Sequence, residues 1–477
     1  MVCLFLFASG VIAQSQEFSF NSPTREAYTH ALNLRFADVR NMIQQPATPQ
    51  EIYVRSFADA LELVVTEDAQ LLNAYESAFE ARASRKTSKK SADELLVQSE
   101  MHLHWAFIYL KFGRELDAAF RLRQAYMIQQ DLHTSYPDYK AVYKISGLLN
   151  VLIGSVPDKY SWILGLLNMQ GSVETGLQQL QELSDLNHDL ALEATLWHAF
   201  IQGFMLQNPE KAIAEMNKLS SNSPLTAFMI ANFHMKNASG ENALMWLQEA
   251  EARSQGTRIP YTSYLKGEVY LHKADYANAI AAYKAFLTHY KGQNYVKDAH
   301  YKIGLCHWLD EKPEKAAESF EAARNAGKES AEADRHAARN LASREMPSIP
   351  LSKVRFYTDG GYYAEAEALL AQVDPEKLTA IRHKAEWYYR KARLMHKVNR
   401  LPDAVEMYEM TVALAGMNDW YYAPNACLQL GYLARERDEI TEARRWFEKA
   451  LSYKKHEYKN SIDSKARSAL AQLKARK

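Results

Sequence analysis

The chain is poor in the features that mark most specialised protein classes. Its 477 residues include only three cysteines, Cys3, Cys306 and Cys427. So few, so far apart, exclude a disulfide framework and a thiolate metal site. Cys306 and Cys427 each fall inside a helical pattern and are expected as buried free thiols. Glycine and proline are sparse, at 18 and 14 residues. That excludes collagen-like and low-complexity chains and, with abundant Ala, Leu, Glu and Lys, favours helices throughout. Net charge is absent too, because 57 Lys and Arg balance 57 Asp and Glu. No electrostatic case exists for nucleic acid or an anionic membrane surface. The one basic cluster, ARASRKTSKK at 81–90, reads as a solvated loop between helices.

Chemistry-bearing motifs are missing as well. There is no glycine-rich phosphate loop, nucleophile elbow, HExxH helix or cysteine pair. His102 and His104 lie two apart, on different faces of a helix. His300 and His307 could share a face but have no third ligand, and Glu311 and Glu314 lie in a turn. The expectation is a protein that is not an enzyme, with no catalytic residue, no metal and no cofactor.

Long apolar runs are also lacking. The most apolar stretch is KISGLLNVLIGSVPDKYSWILGLLNMQGS, residues 144–172. Its two halves, Ile145–Val156 and Ser161–Met169, fall well short of the ~20 residues that cross a bilayer. Asn150 and Asn168 interrupt them, and Asp158 and Lys159 mark the turn. No transmembrane span is expected. A glycine inside a helix costs about 1 kcal/mol against alanine, so the glycines here need a packing reason. Close helix crossing supplies one. An apolar groove at Gly147, Gly154 and Gly165, holding a lipid or a partner helix, is the second reading.

What is present begins at the N-terminus. MVCLFLFASGVIAQSQEF opens apolar and turns polar after Val11-Ile12-Ala13. This pattern reads as a secretory signal peptide over 1–13, although no Lys or Arg precedes the apolar core. Cys3 would leave with it. Export to the periplasm or cell envelope follows, with the cytoplasm as the alternative.

The strongest signal is internal repetition. Gly267, Ala279 and Tyr283 stand at offsets of twelve and sixteen. Gly304, Ala316 and Phe320 repeat that relation, as do Gly431, Ala443 and Phe447. Ala392, Ala404 and Tyr408, then Ala231, Ala243 and Leu247, then Ala106, Ala118 and Leu122 are further copies. Weaker ones centre on Ala212 with Met216 and on Ala366 with Leu370. Small residues allow two antiparallel helices to cross closely, with the large residue one turn on filling the groove beside them. Successive copies lie 36 to 39 residues apart between Ala231, Gly267 and Gly304, and again between Ala392 and Gly431.

This pattern resembles the tetratricopeptide repeat superfamily, whose period is about 34. The resemblance implies an all-α, tetratricopeptide-like α-α superhelix, a right-handed solenoid stabilised mainly between neighbours, here with an atypical N-terminal helical cap. The expected layout is an N-terminal helical region over 14–90, a helix pair plus the Gly-rich segment over 91–189, and the array over 190–477, closed by a capping helix at KARSALAQLKARK. Within the N-terminal region, 22–45 reads as two helices meeting near Leu34-Arg35-Phe36. Residues 50–83 read as two more, and Ser91-Ala92-Asp93-Glu94 is a capping box.

ALNLRFADV, the stretch around LLNVLIGSVPDKY with Gly171, Gly176 and Leu177, and YAPNACLQLGYLARERDEITEARRWFEKA occur in the order seen in the tetratricopeptide repeat protein 39 / inclusion body clearance family, which the chain resembles more specifically. That family implies partner binding in protein turnover and lipid-related regulation in the cytoplasm, with no catalytic residue. The predicted leader departs from that setting.

The repeat register places Tyr264, Tyr301, Leu305, Trp308, Tyr389, Arg393, His396, Tyr432 and Arg435 on the inner face. Aromatic and Arg side chains anchor peptides well, and packing between repeats is the competing use of the same residues. The expected function is a scaffold binding a protein or peptide through its concave face, with no nucleic acid. The alternatives are a cell-envelope nutrient (carbohydrate) binding protein, or a lipid-linked regulator should the leader be false.

Overall fold

The computed structural model describes residues 17–84, 90–156, 168–219, 221–343 and 345–475. The predicted leader, with Cys3, lies outside them. So do residues 85–89 of the basic cluster at 81–90, Gly165, and all of the second apolar segment except Asn168 and Met169.

Thr48 and Ser91 show how the sequence starts its helices. Each side chain accepts a backbone N–H three residues on, at 3.3 Å. Glu51 and Glu94 reach back to the cap N–H at 3.0 and 2.8 Å. These reciprocal bonds satisfy donors that a helix end leaves bare. All regular structure among the described residues is helical.

The chain divides into two units. The first holds the chain up to Met229 together with Glu249–Ile259. Its helices are α1 (Ser22–Leu32), α2 (Phe36–Met42), α3 (Pro49–Thr66), α4 (Ala69–Ala83), α5 (Ala92–Lys111), α6 (Glu115–Ser135), α7 (Val142–Gly154), α8 (Val173–Ser184), α9 (Ala191–Phe200) and α10 (Pro209–Met216). A π-helical turn, Ile201–Met205, follows α9. Helices α11 (Pro224–Lys236) and α12 (Gly240–Arg253) contribute to both units.

The second unit holds Ile230–Gln248 and Pro260–Lys477. Its helices continue as α13 (Tyr261–His272), α14 (Tyr276–His289), α15 (Val296–Leu309), α16 (Pro313–Asn325), α17 (Glu332–Ala342), α18 (Ile349–Gly360), α19 (Tyr363–Leu370), α20 (Ile381–Lys397), α21 (Leu401–Ala415), α22 (Tyr422–Glu436), α23 (Ile440–Ser452) and α24 (Lys459–Ala475). The pairs α13–α14, α15–α16, α18–α19, α20–α21 and α22–α23 are the repeating helix pairs of a tetratricopeptide-like α-α solenoid.

The crossings refine the expected packing. The large residue sixteen positions on does not fill a groove beside the glycine. It lies directly over it. A Cβ on Gly267 would stand 2.7 Å from the Tyr283 ring, one on Gly304 2.6 Å from Phe320, and one on Gly431 2.5 Å from Phe447. The alanines at offset twelve, Ala279, Ala316 and Ala443, are buried in the same interfaces. Burying each such aromatic contributes about 1.5–3 kcal/mol, and only a residue without Cβ lets the ring approach so closely.

In the first unit the same device joins α7 to α8. A Cβ on Gly147 would meet Leu180 Cγ at 2.8 Å and the Gly176 carbonyl oxygen at 2.9 Å. One on Gly154 would meet the Val173 backbone nitrogen at 2.9 Å. Neighbouring helix therefore fills the space at Gly147 and Gly154, as close crossing requires. With 13 residues, α7 is about 20 Å long against a hydrocarbon core of about 30 Å. No helix among the described residues is long and apolar enough to cross a membrane.

Candidate binding cavity

The inner helices of the second unit carry charge where a simple core would carry leucine. Asp298 and Lys302 in α15, and Glu386 and Arg390 in α20, stand four apart and so share a helix face. Both pairs fall six and two residues before a small position, Gly304 and Ala392. Lys302 Nζ lies 2.9 Å from Asp298 Oδ2 and 2.6 Å from Glu268 Oε1 of α13. The Tyr264 hydroxyl donates to Asp298 at 2.5 Å and accepts from Lys302 at 2.8 Å. Burial raises the Asp298 carboxyl, opposed by Lys302 and reinforced by Glu268. At Glu268 burial is the largest single influence, but Lys302, His272 and Tyr283 together outweigh it, and that carboxyl is lowered. Arg390 bonds Glu386 Oε1 at 2.6 Å and the Tyr421 hydroxyl at 2.8 Å.

Beside Arg390 a cavity of about 200 Å³ opens. Leu305, Phe320, Leu341, Met346 and Phe356 contribute apolar side chains to its lining. Arg355, Arg390, Tyr421, Tyr458 and His336 contribute polar ones. The cavity sits where the repeat spacing is broken. The small position preceding Ala366 by twelve is Val354, fifty residues after Gly304 rather than 36 to 39. The extra length is α17, which packs on α15 and α16 and brings His336, Arg339 and Asn340 to the cavity. Burial, with Arg355 and Arg339 nearby, lowers His336 to about 3, so its ring is neutral. Asn340 Nδ2 lies 3.1 Å from its Nδ1, and the Tyr458 hydroxyl faces its Nε2.

The inner-face residues read from the sequence are not brought together as one surface. Tyr301 and Leu305 line the cavity, with the Tyr301 ring 5.6 Å from that of Phe320. Trp308 Nε1 donates to the Pro347 carbonyl at 3.0 Å and so fixes part of the rim. Tyr264 and Tyr389 are buried, at 3% and 1% exposure, and act as internal packing. Arg393 is tied to Asp359 at 3.0 Å. His396, lowered to about 4 by burial and by Arg393, faces the Tyr408 hydroxyl at 3.3 Å. Tyr432 packs on Phe447, and Arg435 crosses its ring and donates to Gln472 at 2.8 Å, away from the cavity. Sequence reasoning missed Arg355, Arg390, Tyr421, Tyr458 and His336. Two signals were available: acid–base pairs recurring in repeat register, and the fifty-residue gap.

The first unit buries a different cluster. Lys144 is fully buried, with Nζ 2.8 Å from Glu193 Oε2 and 3.2 Å from Glu100 Oε2. Tyr28 and Tyr53 donate to Glu193 Oε1 at 2.9 and 2.6 Å. Both Glu100 oxygens lack a well-formed hydrogen bond. Burial pushes Glu100 up to about 7 despite Lys144. His104, 3.7 Å from Glu100, is lowered to about 3 by burial and by Lys144. His102 packs edge-on against Phe79. A small cavity of about 140 Å³ in the same unit is lined by Gln129, Gln130, Asn150 and Gln179, with Tyr126 and His133.

Among the described residues no three His, Cys, Asp or Glu side chains are grouped to hold a metal. Cys306 and Cys427 are free and buried. The chain is an all-α protein of repeating helix pairs.

The tetratricopeptide repeat family profile matches residues 424–457, the α22–α23 pair. No curated protein sequence matches the chain. Among solved structures, the type IV pilus biogenesis factor PilW is similar at 11% identity and a TM-score of 0.34, over 48% of this chain and 92% of that one. A monomeric IFIT1 mutant with m7Gppp-AAAA is similar at 13% identity and a TM-score of 0.32, over 91% and 95%. The human IFIT1 dimer with m7Gppp-AAAA is similar at 13% identity and a TM-score of 0.31, over 91% and 96%.

Proposed function

We propose that this chain is an exported helical-repeat scaffold that takes a peptide segment of another protein into the cavity of its second unit. The observation that carries the reading is the cavity at the interrupted repeat. Its lining mixes apolar and polar side chains, the mixture that orients a bound segment, and Arg and Tyr are the anchors that carry most binding energy at interfaces. A photo-crosslinking amino acid at Tyr301 is expected to capture a protein partner. The same group at Met417, 67% exposed and not lining the cavity, is expected to capture none. Equal capture at both positions sinks the cavity reading.

Export is the part carried by the first 13 residues, and the expected mature N-terminus is Gln14. Should N-terminal sequencing return Met1, the resemblance to the tetratricopeptide repeat protein 39 / inclusion body clearance family becomes the guide, with a cytoplasmic partner. A second ligand class is favoured by the small cavity of the first unit. Its amide, hydroxyl and imidazole lining suits a neutral polyol, which supports carbohydrate binding as the alternative. Loss of saccharide binding in Gln129→Leu would uphold it, and binding by neither protein would remove it.

A further inference from the structure

We infer that the cavity of the second unit recognises a carboxylate flanked by a large apolar side chain on the bound peptide, with Arg355 as the anchor. The inference rests on the peptide-binding reading above and names the ligand chemistry of that site.

Four other arginines line the cavity, and each reaches a carboxylate oxygen at hydrogen-bonding distance. Arg324 pairs with Glu321 at 2.7 Å, and Arg339 with Glu332 at 3.2 Å, a carboxylate it shares with Arg335. Arg382 pairs with Glu345 at 2.7 Å and Arg390 with Glu386 at 2.6 Å. Arg355 differs. Its nearest carboxylate is Asp359 Oδ2 at 3.6 Å, and Asp359 gives its other oxygen to Arg393 at 3.0 Å. One carboxylate thus serves two guanidinium groups. The Arg355 side chain stays 35% exposed, so a ligand can reach it.

Two hydroxyls complete the site. The Tyr421 and Tyr458 rings stand edge to face, 5.1 Å apart. Tyr421 accepts from Arg390 at 2.8 Å, which leaves its own proton to donate. At His336, Nδ1 faces the Asn340 amide and accepts from it, so Nε2 of the neutral ring carries the proton and donates to Tyr458. Tyr458 likewise keeps its O–H for a ligand. A planar guanidinium and two O–H donors match the acceptor-only oxygens of a carboxylate. Leu305, Phe320, Leu341 and Met346 in the same lining select an apolar side chain next to it.

The test is selection from two random peptide libraries on the full chain, one with free C-termini and one extended by a fixed tag. Wild type is expected to enrich Asp or Glu beside an aromatic or large aliphatic residue in the tagged library, or a terminal apolar residue in the free one. The two outcomes assign the carboxylate to a side chain or to a chain end. Arg355→Met is expected to lose the acidic preference by about tenfold, the order that a charge-assisted pair commands. Tyr458→Phe, which removes one oxygen, is expected to weaken the same peptides and keeps the test decisive should Arg355→Met misfold. Selected peptides that cross-link at Tyr301 without acidic preference, or that bind Arg355→Met equally, overturn the carboxylate inference and leave the scaffold reading standing. Selected peptides that never cross-link at Tyr301 overturn both.

Discussion

Glu100→Gln should stabilise the first unit above neutral pH and should not do so in acid. Lys144 is set between the Glu100 and Glu193 carboxylates, and Glu193 takes the shorter contact and two tyrosine hydroxyls. Glu100 is therefore the carboxylate that burial wins, raised from 4.5 to about 7. For an acid whose folded value lies above its unfolded one, the folded state holds the proton more tightly. Its contribution is complete below about pH 4.5, declines as pH rises, and is lost above about pH 7. At 1.36 kcal/mol per pKa unit the loss is about 3 kcal/mol for so buried a group. The glutamine side chain cannot ionise, so the stability difference between the Glu100→Gln variant and wild type should grow by that amount between pH 4.5 and pH 8. Hydrogen exchange in α5, α7 and α9 reads the local stability of this unit without interference from the other. A difference that stays flat across that range refutes the reasoning, because it would mean that Glu100 is ionised in the folded chain at no cost.

Other substitutions test separate parts of the account. Lys144→Met strands two buried carboxylates and should cost about 3–5 kcal/mol at pH 8, with a smaller loss at pH 5, measured by the same exchange. Gly304→Ala gains about 1 kcal/mol of helix propensity but drives a Cβ to within 2.6 Å of Phe320. Overpacking of about 1–3 kcal/mol should leave a net loss in urea titrations, relieved when Phe320→Leu is added. Gly147→Ala should destabilise α7–α8 by a similar amount, whereas an unchanged midpoint would speak for open space at that position. Ser91→Ala removes the cap of α5 and should cost about 1 kcal/mol, with faster exchange confined to the first turn of that helix.

The helices of the first unit could be read from the sequence because their signals are local. A cap residue and the acid three positions on define a helix start within one turn, and α3 and α5 begin at such boxes. The break between α1 and α2 falls at Asn33–Arg35, where Leu34 takes a positive φ of 58°, next to the predicted meeting point. The crossings were legible for a related reason, since small and large residues sixteen apart recur from one helix pair to the next. The buried lysines were not. Lys144 finds Glu100 and Glu193 on other helices far along the chain. Lys302 has Asp298 four residues before it but Glu268 on another helix, and only the assembled core shows that water is gone.

The cavity shows where register stops being enough. Tyr264, Tyr301 and Tyr389 occupy one repeat position, three residues before Gly267, Gly304 and Ala392, so periodicity treats them as equivalent. Their surroundings differ. Tyr264 is closed in by Phe286 and Tyr295, and Tyr389 by Tyr421 and Tyr422. Tyr301 has α17 after its helix pair, and there the inner face opens into the cavity. A repeat sequence specifies its packing through sameness, each pair burying the face of the one before. A binding site needs a place where that rule is suspended, because a perfectly satisfied array leaves no unmatched charge and no unfilled volume for a partner to complete. In this chain the fifty-residue interval supplies both: space beside Tyr301, and at Arg355 a guanidinium whose nearest carboxylate is already shared.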